Sequence, residues 1–214
     1  NETLLHPFVD SKGSFGKQYS TMAFAAPRYT EVKLDKFCAE IFSGIDKNAV
    51  DFIDNYDSTM REPTILPTTF PNILVSPNSG VAVGIACEIA SFNLAEICDG
   101  TIALLKNPNT TTDRLLDIIK APDFPGGGLI IYDREQMKKI YETGVGSFRM
   151  RAKYEYVKKD NCIDVLEIPY SSCIETIMKK ATDLIKAGKL REVADVRDAI
   201  DLSGFKLTFD LRRD

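Results

Sequence analysis

The sequence predicts an α+β protein, and three observations predict it. A chain of 214 residues that is 44% hydrophobic and 27% charged can bury a core, and it lies outside the disordered and collagen-like classes of composition. Some of its segments repeat apolar residues at helical spacing, whereas others alternate apolar with polar residues as half-buried strands do. Proline and glycine punctuate the chain at two places, Tyr56–Ser79 and Ala121–Gly128. The second of these, with two prolines and three consecutive glycines, has the composition of a boundary and predicts two domains, residues 1–125 and 126–214.

The first part opens with loops around short elements, because His6 to Thr30 is rich in Gly, Ser and Lys with scattered aromatics. From Val32, residues Leu34, Phe37, Cys38, Ile41, Phe42 and Ile45 recur at helical spacing, which predicts an amphipathic helix that Thr30 caps. Pro63, Pro67, Pro71 and Pro77 then forbid helix and central strand alike and predict an extended, turn-rich crossing. A long ordered loop of this kind is usually functional. Small and apolar residues fill Gly80 to Ala90, after which Asn93 with Glu96 forms a capping box for a helix reaching about Leu105. Thr112 starts a short helix ending near Lys120.

Beyond the boundary, Leu129–Tyr132 reads as a strand and Arg134–Glu142 as a helix stopped by Gly144. Ser147–Val157 reads as one long strand in which Phe148, Met150, Ala152, Tyr154 and Tyr156 form a buried face opposite Arg149, Arg151, Lys153 and Glu155. Cys162–Ile168 pairs with it across a turn at 159–161. Ser172 with Glu175 makes a second capping box for a helix that carries an apolar stripe to Gly188, and Phe205–Arg212 alternates as a final strand. The order β-α-β-β-α-β matches a split βαβ sandwich, with a mixed or antiparallel sheet.

Charge, cysteines and hydropathy narrow the function. The formal charge of -4 argues against a globally basic nucleic-acid binder but leaves a local basic face open. The acid is concentrated in residues 37–66, where six acidic side chains face two basic ones. Five cysteines with no C-x-x-C pair and one histidine, His6, do not make a zinc site and read as reduced, mostly buried thiols of a cytoplasmic protein. No run approaches the ~18 uninterrupted apolar residues of a membrane helix. Asn1 opens the sequence without an initiator methionine or signal-like run, as expected for a piece of a longer chain.

The phosphate-loop, dinucleotide-fold, zinc-protease and serine-hydrolase signatures are absent. Gly13 with Gly16, and the triplet Gly126–Gly128, could approach phosphate or could make tight turns. His6 reads as a surface or core imidazole. The remaining candidate is Arg28-Tyr29-Thr30. A tyrosine hydroxyl ionises near pH 10 in model peptides and needs a neighbouring cation or base to act as a nucleophile. Arg28 offers a permanent charge whose planar fork suits a phosphate oxygen, although on spacing alone Tyr29 could equally be an interfacial, hydrogen-bonded residue.

The flanking residues decide between them. Phe8-Val9-Asp10-Ser11-Lys12-Gly13-Ser14-Phe15-Gly16 followed by Ala25-Ala26-Pro27-Arg28-Tyr29-Thr30-Glu31 resembles the run into the active-site tyrosine of the A subunits of bacterial type IIA DNA topoisomerases, gyrase and topoisomerase IV alike. The likeness continues, in order, through residues 50–57, 66–75 and 79–84. It resumes at 122–127, at 141–144 with Arg149 and Arg151, at Glu167-Ile168-Pro169-Tyr170 and at Asp195-Val196-Arg197-Asp198.

The resemblance implies that residues 1–125 are the later part of a winged-helix catalytic region and 126–214 an α/β tower domain. It implies that Tyr29 attacks a DNA phosphate to leave a reversible 5′ phosphotyrosine, with Arg28 as its transition-state partner, so that a duplex can pass through the break. Val81 falls where the family usually has an isoleucine that enters a base step and bends the duplex, while its neighbours Gly80 and Ala82 also allow a core residue. Lys12 and Lys17 become candidates for backbone phosphates, and Arg149 and Arg151, with Lys153, could extend the DNA track, although solvated loops and a solvated sheet face fit them too. The implied partners are double-stranded DNA and further topoisomerase subunits, two A and two B in an A2B2 complex associated with the chromosome. Magnesium and ATP are expected in the B subunit, with no cofactor in this chain. Pro77 stands where the family commonly has glycine, and Ala90-Ser91-Phe92-Asn93 replaces a proline- and histidine-bearing turn, so the wedge loop is expected to be set differently. The competing readings are a noncatalytic DNA-binding or assembly module in which Tyr29 is structural, and a small-molecule-binding domain on residues 128–214, which would need a concave apolar pocket.

Overall fold

A computed structural model describes residues 4–22, 24–201 and 204–213. The described residues divide into two compact units. The first holds residues 4–13 and 29–123, and the second holds the rest, including the segment 14–28. All sheets are antiparallel. No helix among the described residues is long and apolar enough to cross a membrane.

The first unit begins with β1 (Val9–Lys12), paired with β2 (Glu31–Leu34) from Val9 opposite Leu34 to Lys12 opposite Glu31. The helix expected from Val32 is therefore absent at its start. Val32 and Leu34 fit a strand alternation as well as a helical one, and the β1 ladder decides the competition. Helix appears only as the single turn α1 (Cys38–Ile41), whose Cys38 and Ile41 are buried. Thr30 does not cap it: the Asp35 carboxylate accepts the Phe37 N–H at 2.8 Å and the Asp35 carbonyl accepts that of Cys38 at 3.1 Å. His6 stacks on Phe37 with ring centroids 5.2 Å apart, and Phe37 packs in turn on Phe8 and Phe70, so this imidazole is part of an aromatic cluster.

The proline-rich crossing carries one small hairpin, β3 (Phe52–Asp54) with β4 (Arg61–Pro63). Pro63 lies in a two-stranded ribbon, where a missing amide donor is tolerated. A second hairpin, β5 (Asn78–Ala82) with β6 (Ile85–Ile89), turns through Val83 and Gly84. Helix α2 (Leu94–Lys106) is capped as expected by Asn93, whose side-chain oxygen accepts the N–H groups of Ala95 and Glu96. Thr111 caps α3 (Thr112–Ile118), and Ile97 of α2 and Leu116 of α3 are buried. Burial and the nearby Asp123 charge push the Glu96 carboxyl above its ordinary range.

In the second unit, β7 (Leu129–Ile131) precedes α4 (Arg134–Thr143), which Asp133 caps and Gly144 ends in the left-handed conformation. The long strand expected at 147–157 is two strands. β8 (Arg149–Arg151) pairs with β7 and β9 (Lys153–Val157) pairs with β10 (Cys162–Glu167), the break falling at Ala152. Alternation alone does not say that a strand changes partner. Its expected buried face is real only in part, since Phe148, Met150 and Ala152 are half-buried whereas Tyr154 and Tyr156 are exposed.

Helix α5 (Ile174–Lys186) is followed by β11 (Val193–Asp198) and β12 (Leu207–Leu211). The sheet order β11-β12-β10-β9, with β7-β8 as a separate ribbon, replaces the expected split βαβ sandwich. The difference arises because β11 does not alternate cleanly: only Val193 and Val196 are buried, three residues apart, with a register shift between Val193 and Asp195. Ile174 and Ala181 of α5 pack with Val193, Val196 and Leu207 in the core of this unit. The expected capping box at the α5 start does not form. Cys173 occupies the cap position without a side-chain cap, and Glu175 bonds elsewhere, as described below. The five cysteines are free. Cys38 and Cys162 are buried, Cys98 and Cys173 half-buried, and Cys87 exposed, so the expectation of mostly buried thiols holds for only two.

The glycine triplet is a turn held by a carboxylate. Gly126, Gly127 and Gly128 have φ of 82°, 80° and 104°, and a Cβ on Gly127 would strike the Glu167 carboxylate. Glu167 accepts the Gly128 N–H at 2.7 Å and pairs with Lys153 at 3.0 Å. The Gly128 amide beside it, and then Lys153, hold this carboxyl below its usual range. A lowered pKa means stabilisation that is full above the unfolded value of about 4.3 and is lost as pH falls through the folded value. Glu167→Gln is therefore expected to lower the unfolding free energy by about 1.5 kcal/mol at pH 7 in urea titrations. The gap from the parent should narrow as pH falls below the unfolded value of about 4.3; a gap that does not change with pH would contradict this role.

Candidate active site

Tyr29 ends a single 3-10 turn, Pro27–Tyr29, that leads directly into β2. Proline suits the start of such a turn because its φ is already near the helical value. Both Arg28 and Tyr29 are exposed, Tyr29 at 68%. The phenol is thus presented to solvent from a fixed backbone.

What fixes that backbone is Gly13, the residue after β1. Its φ is +89°, and a Cβ there would lie 2.5 Å from the Tyr29 carbonyl oxygen and 3.1 Å from the Thr30 methyl carbon. Only glycine allows both the conformation and the approach. The ladder continues the same alignment: Lys12 pairs with Glu31 at 3.2 Å and Asp10 with Lys33 at 3.1 Å across the two strands. Lys12 therefore stands opposite Glu31, two residues past Tyr29, at the end of the ribbon nearest the turn.

Val81 lies in β5 opposite Ala86 and is 86% exposed, which removes the reading of Val81 as a core residue. Val83 at the hairpin tip and Ile85 beside it are also exposed. The departure at Ala90–Asn93 has a structural use here. Ser91 is buried and its hydroxyl donates to the Asp123 carbonyl, the Phe92 N–H donates to Leu74 O at 2.8 Å, and Asn93 caps α2. This segment ties the base of the hairpin to the helical part of the first unit.

The other predicted residues belong to the second unit. Lys17 is exposed on the segment before the tyrosine turn. Arg149 and Arg151 are exposed on β8, opposite Ile131 and Leu129, and project to the same side because they are two apart in a strand. Lys153 is engaged by Glu167. The structure thus puts Lys12 on the ribbon that the Tyr29 turn leads into, Val81 on another hairpin of the same unit, and Lys17, Arg28, Arg149 and Arg151 in the second unit. Among the described residues no group of three or more His, Cys, Asp or Glu side chains could hold a metal ion.

From sequence, Gly13 is only a generic turn glycine. The signal that could single it out is its place one residue past a strand that ends in a charged pair. Spacing likewise assigns Glu175 to a helix cap, whereas Glu175 binds Ser20 and Thr21 in the segment before Arg28.

The exposed Tyr29 follows Arg28 in one turn and precedes the ribbon that carries Lys12, while a second hairpin of the same unit exposes Val81, Val83 and Ile85. The family model for the A subunit of DNA gyrase/topoisomerase IV matches residues 2–214, and the chain belongs to this family. It is 42% identical over 214 residues to the DNA gyrase A subunit of Metamycoplasma arthritidis, covering 99% of this chain and 24% of that protein. It is 41% identical to the DNA gyrase A subunit of Mycoplasma genitalium, with 99% and 25% covered, and 41% identical to that of Streptomyces coelicolor, with 97% and 25% covered. The chain spans about a quarter of the length of these curated relatives.

Gly13→Ala places a side chain at a positive φ and against a carbonyl, and is expected to lower the unfolding free energy by about 2 kcal/mol in urea titrations. A midpoint within error of the parent would show that the approach to Tyr29 is not required.

Proposed function

We propose that this chain is the part of a type II DNA topoisomerase that breaks and rejoins DNA, with Tyr29 as the nucleophile. The observation that carries the proposal is the solvent-facing phenol of Tyr29, set in one turn with Arg28 by the close approach of Gly13, within a chain that matches the family over residues 2–214. In this reading the Tyr29 oxygen bonds to phosphorus as the bond to the DNA 3′ oxygen breaks. The phenol gives up its proton, and the leaving 3′ oxygen takes one up. A phosphodiester replaces a phosphodiester, so the same 3′ hydroxyl can reverse the step after a second duplex has passed. Arg28 holds the phosphate oxygens that gain charge in the transition state.

The domain assignment, residues 1–125 as the later part of the winged-helix region and 126–214 as the tower, belongs to the same proposal. So do the A2B2 assembly with a B subunit that brings magnesium and ATP hydrolysis, the location on the chromosome in the cytoplasm, and the inactivity of this piece by itself. Lys12 and Lys17 would meet backbone phosphates, and Arg149 and Arg151 would continue the basic track. Val81 would enter a base step, a role supported by its exposure at the side of a hairpin.

Two experiments test the reading. In the full-length protein, assembled with its B partner and magnesium, detergent trapping of end-labelled duplex should give covalent complex with Tyr29 and none with Tyr29→Phe, while duplex affinity changes less than about threefold. If Tyr29→Phe still forms the complex, the assignment is wrong; if neither protein is ever trapped while both bind DNA, Tyr29 is structural. Val81→Ala should reduce the bend of bound duplex, read by fluorescence transfer between labelled ends, and lower cleavage about tenfold, since the stacking cost of a few kcal/mol is no longer offset by contact. An unchanged bend would remove the wedge role.

A further inference from the structure

Residues 14–28 form a loop of 15 residues that leaves the first unit at Gly13 and re-enters it at Tyr29. Its ends meet, because a Cβ on Gly13 would lie 2.5 Å from the Tyr29 carbonyl oxygen. Just inside them the Ala25 N–H donates to Ser14 O at 2.9 Å. This is an Ω-loop, a short excursion with closed ends whose shape depends on what holds its body.

The body is held within the second unit, mainly by polar bonds. The Ser20 hydroxyl donates to Glu175 Oε1, and the Thr21 N–H donates to Glu175 Oε2 at 3.1 Å. Gln18 Nε2 donates to Pro125 O at 2.6 Å, and Ile174 N–H donates to Tyr19 O at 2.7 Å. The Tyr19 ring meets Phe205 edge-on at 5.0 Å. Two of the polar bonds end on one carboxylate. Glu175 sits in the first turn of α5, where a glutamate would ordinarily serve the helix N-terminus. It reaches out to the loop instead, and the Ser20 hydroxyl is the largest influence holding its carboxyl below the usual range. Between this anchor and Tyr29, Met22 and Phe24 are exposed and Ala25, Ala26 and Pro27 are small, so the stretch buries little apolar area and leaves the anchors to define the conformation.

Arg28 is the last residue of the loop and Tyr29 the first beyond it, and both lie in one 3-10 turn. We propose that Glu175 is a positioning residue for DNA cleavage: by binding the Ser20 hydroxyl and the Thr21 amide it orders the loop that sets Arg28 beside Tyr29. This rests on the function proposed above. A glutamine could not replace it, because its single carbonyl oxygen can accept only where one carboxylate oxygen did, and its amide would face a donor.

The test uses the full-length protein with its B partner and magnesium, in single-turnover cleavage of a labelled duplex, together with duplex affinity and hydrogen exchange at the Thr21 amide. Glu175→Ala is expected to slow formation of the covalent complex about tenfold, as loss of alignment without loss of binding does. Duplex affinity should stay within about twofold of the parent, and Thr21 exchange should accelerate. Ser20→Ala should reproduce the slow cleavage and Ser20→Thr, which restores the hydroxyl, should recover the parent rate. The Ser20 pair decides the matter even if Glu175→Ala does not fold. Cleavage at the parent rate in Glu175→Ala or Ser20→Ala overturns the inference, as does a fall in rate matched by an equal fall in affinity. If the parent complex itself is never trapped, the proposed function fails and this inference falls with it; if the parent is trapped through Tyr29 and the variants match it, only the inference fails.

Discussion

The close approach of Gly13 to the Tyr29 carbonyl is the constraint on which the candidate site depends. It joins the end of one strand to the start of the next and closes the loop between them. Were a side chain present, the backbone would have to shift, since a contact of 2.5 Å is shorter than real Cβ atoms show. The β1–β2 ladder, with its two crossed ion pairs, extends the same alignment along four residue pairs. Those pairs are exposed and contribute little stability by themselves. Their effect is on register, because a slip of one residue would turn every side chain to the other face. Lys12 and the tyrosine turn keep their relation for that reason.

A second constraint belongs to the other unit, where two carboxylates each accept one backbone amide and one side-chain donor. Glu167 holds the glycine turn at 126–128 and Glu175 holds the loop before Arg28. Both have lowered pKa values for the same physical reason, hydrogen bonds donated to the ionised form. A bond accepted by an ionised group is about twice as strong as a neutral one, which suits positions where the chain has little apolar surface to bury.

How much of this is legible in the sequence depends on how local the cause is. Asn93 and Gly144 announce helix ends through their own chemistry, and the helices at 94–106, 112–118 and 134–143 appear close to where they are expected. The segment 32–45 misleads because Val32 and Leu34 satisfy two periods at once, and only pairing with distant Val9–Lys12 settles which applies. Ser147–Val157 misleads because nothing in an alternating run marks Ala152 as the point where a strand changes partner. Ser172 and Glu175 have the spacing of a capping box, yet Glu175 is drawn away by Ser20, 155 residues earlier in the chain. Tyr29 and Val81 stand out through the family's motifs, not through any pattern of burial or charge. Their exposure, at 68% and 86%, is information only the structure carries.

In the proposed function the Tyr29 oxygen becomes covalently joined to DNA. Digesting the trapped complex with nuclease and protease and sequencing the modified peptide by mass spectrometry tests it most directly. A 5′-linked nucleotide phosphate on Tyr29 and free 3′ hydroxyls on the DNA ends are expected. A nucleotide on any other residue, such as the exposed Tyr56, or a phosphate left on the 3′ end, would contradict it.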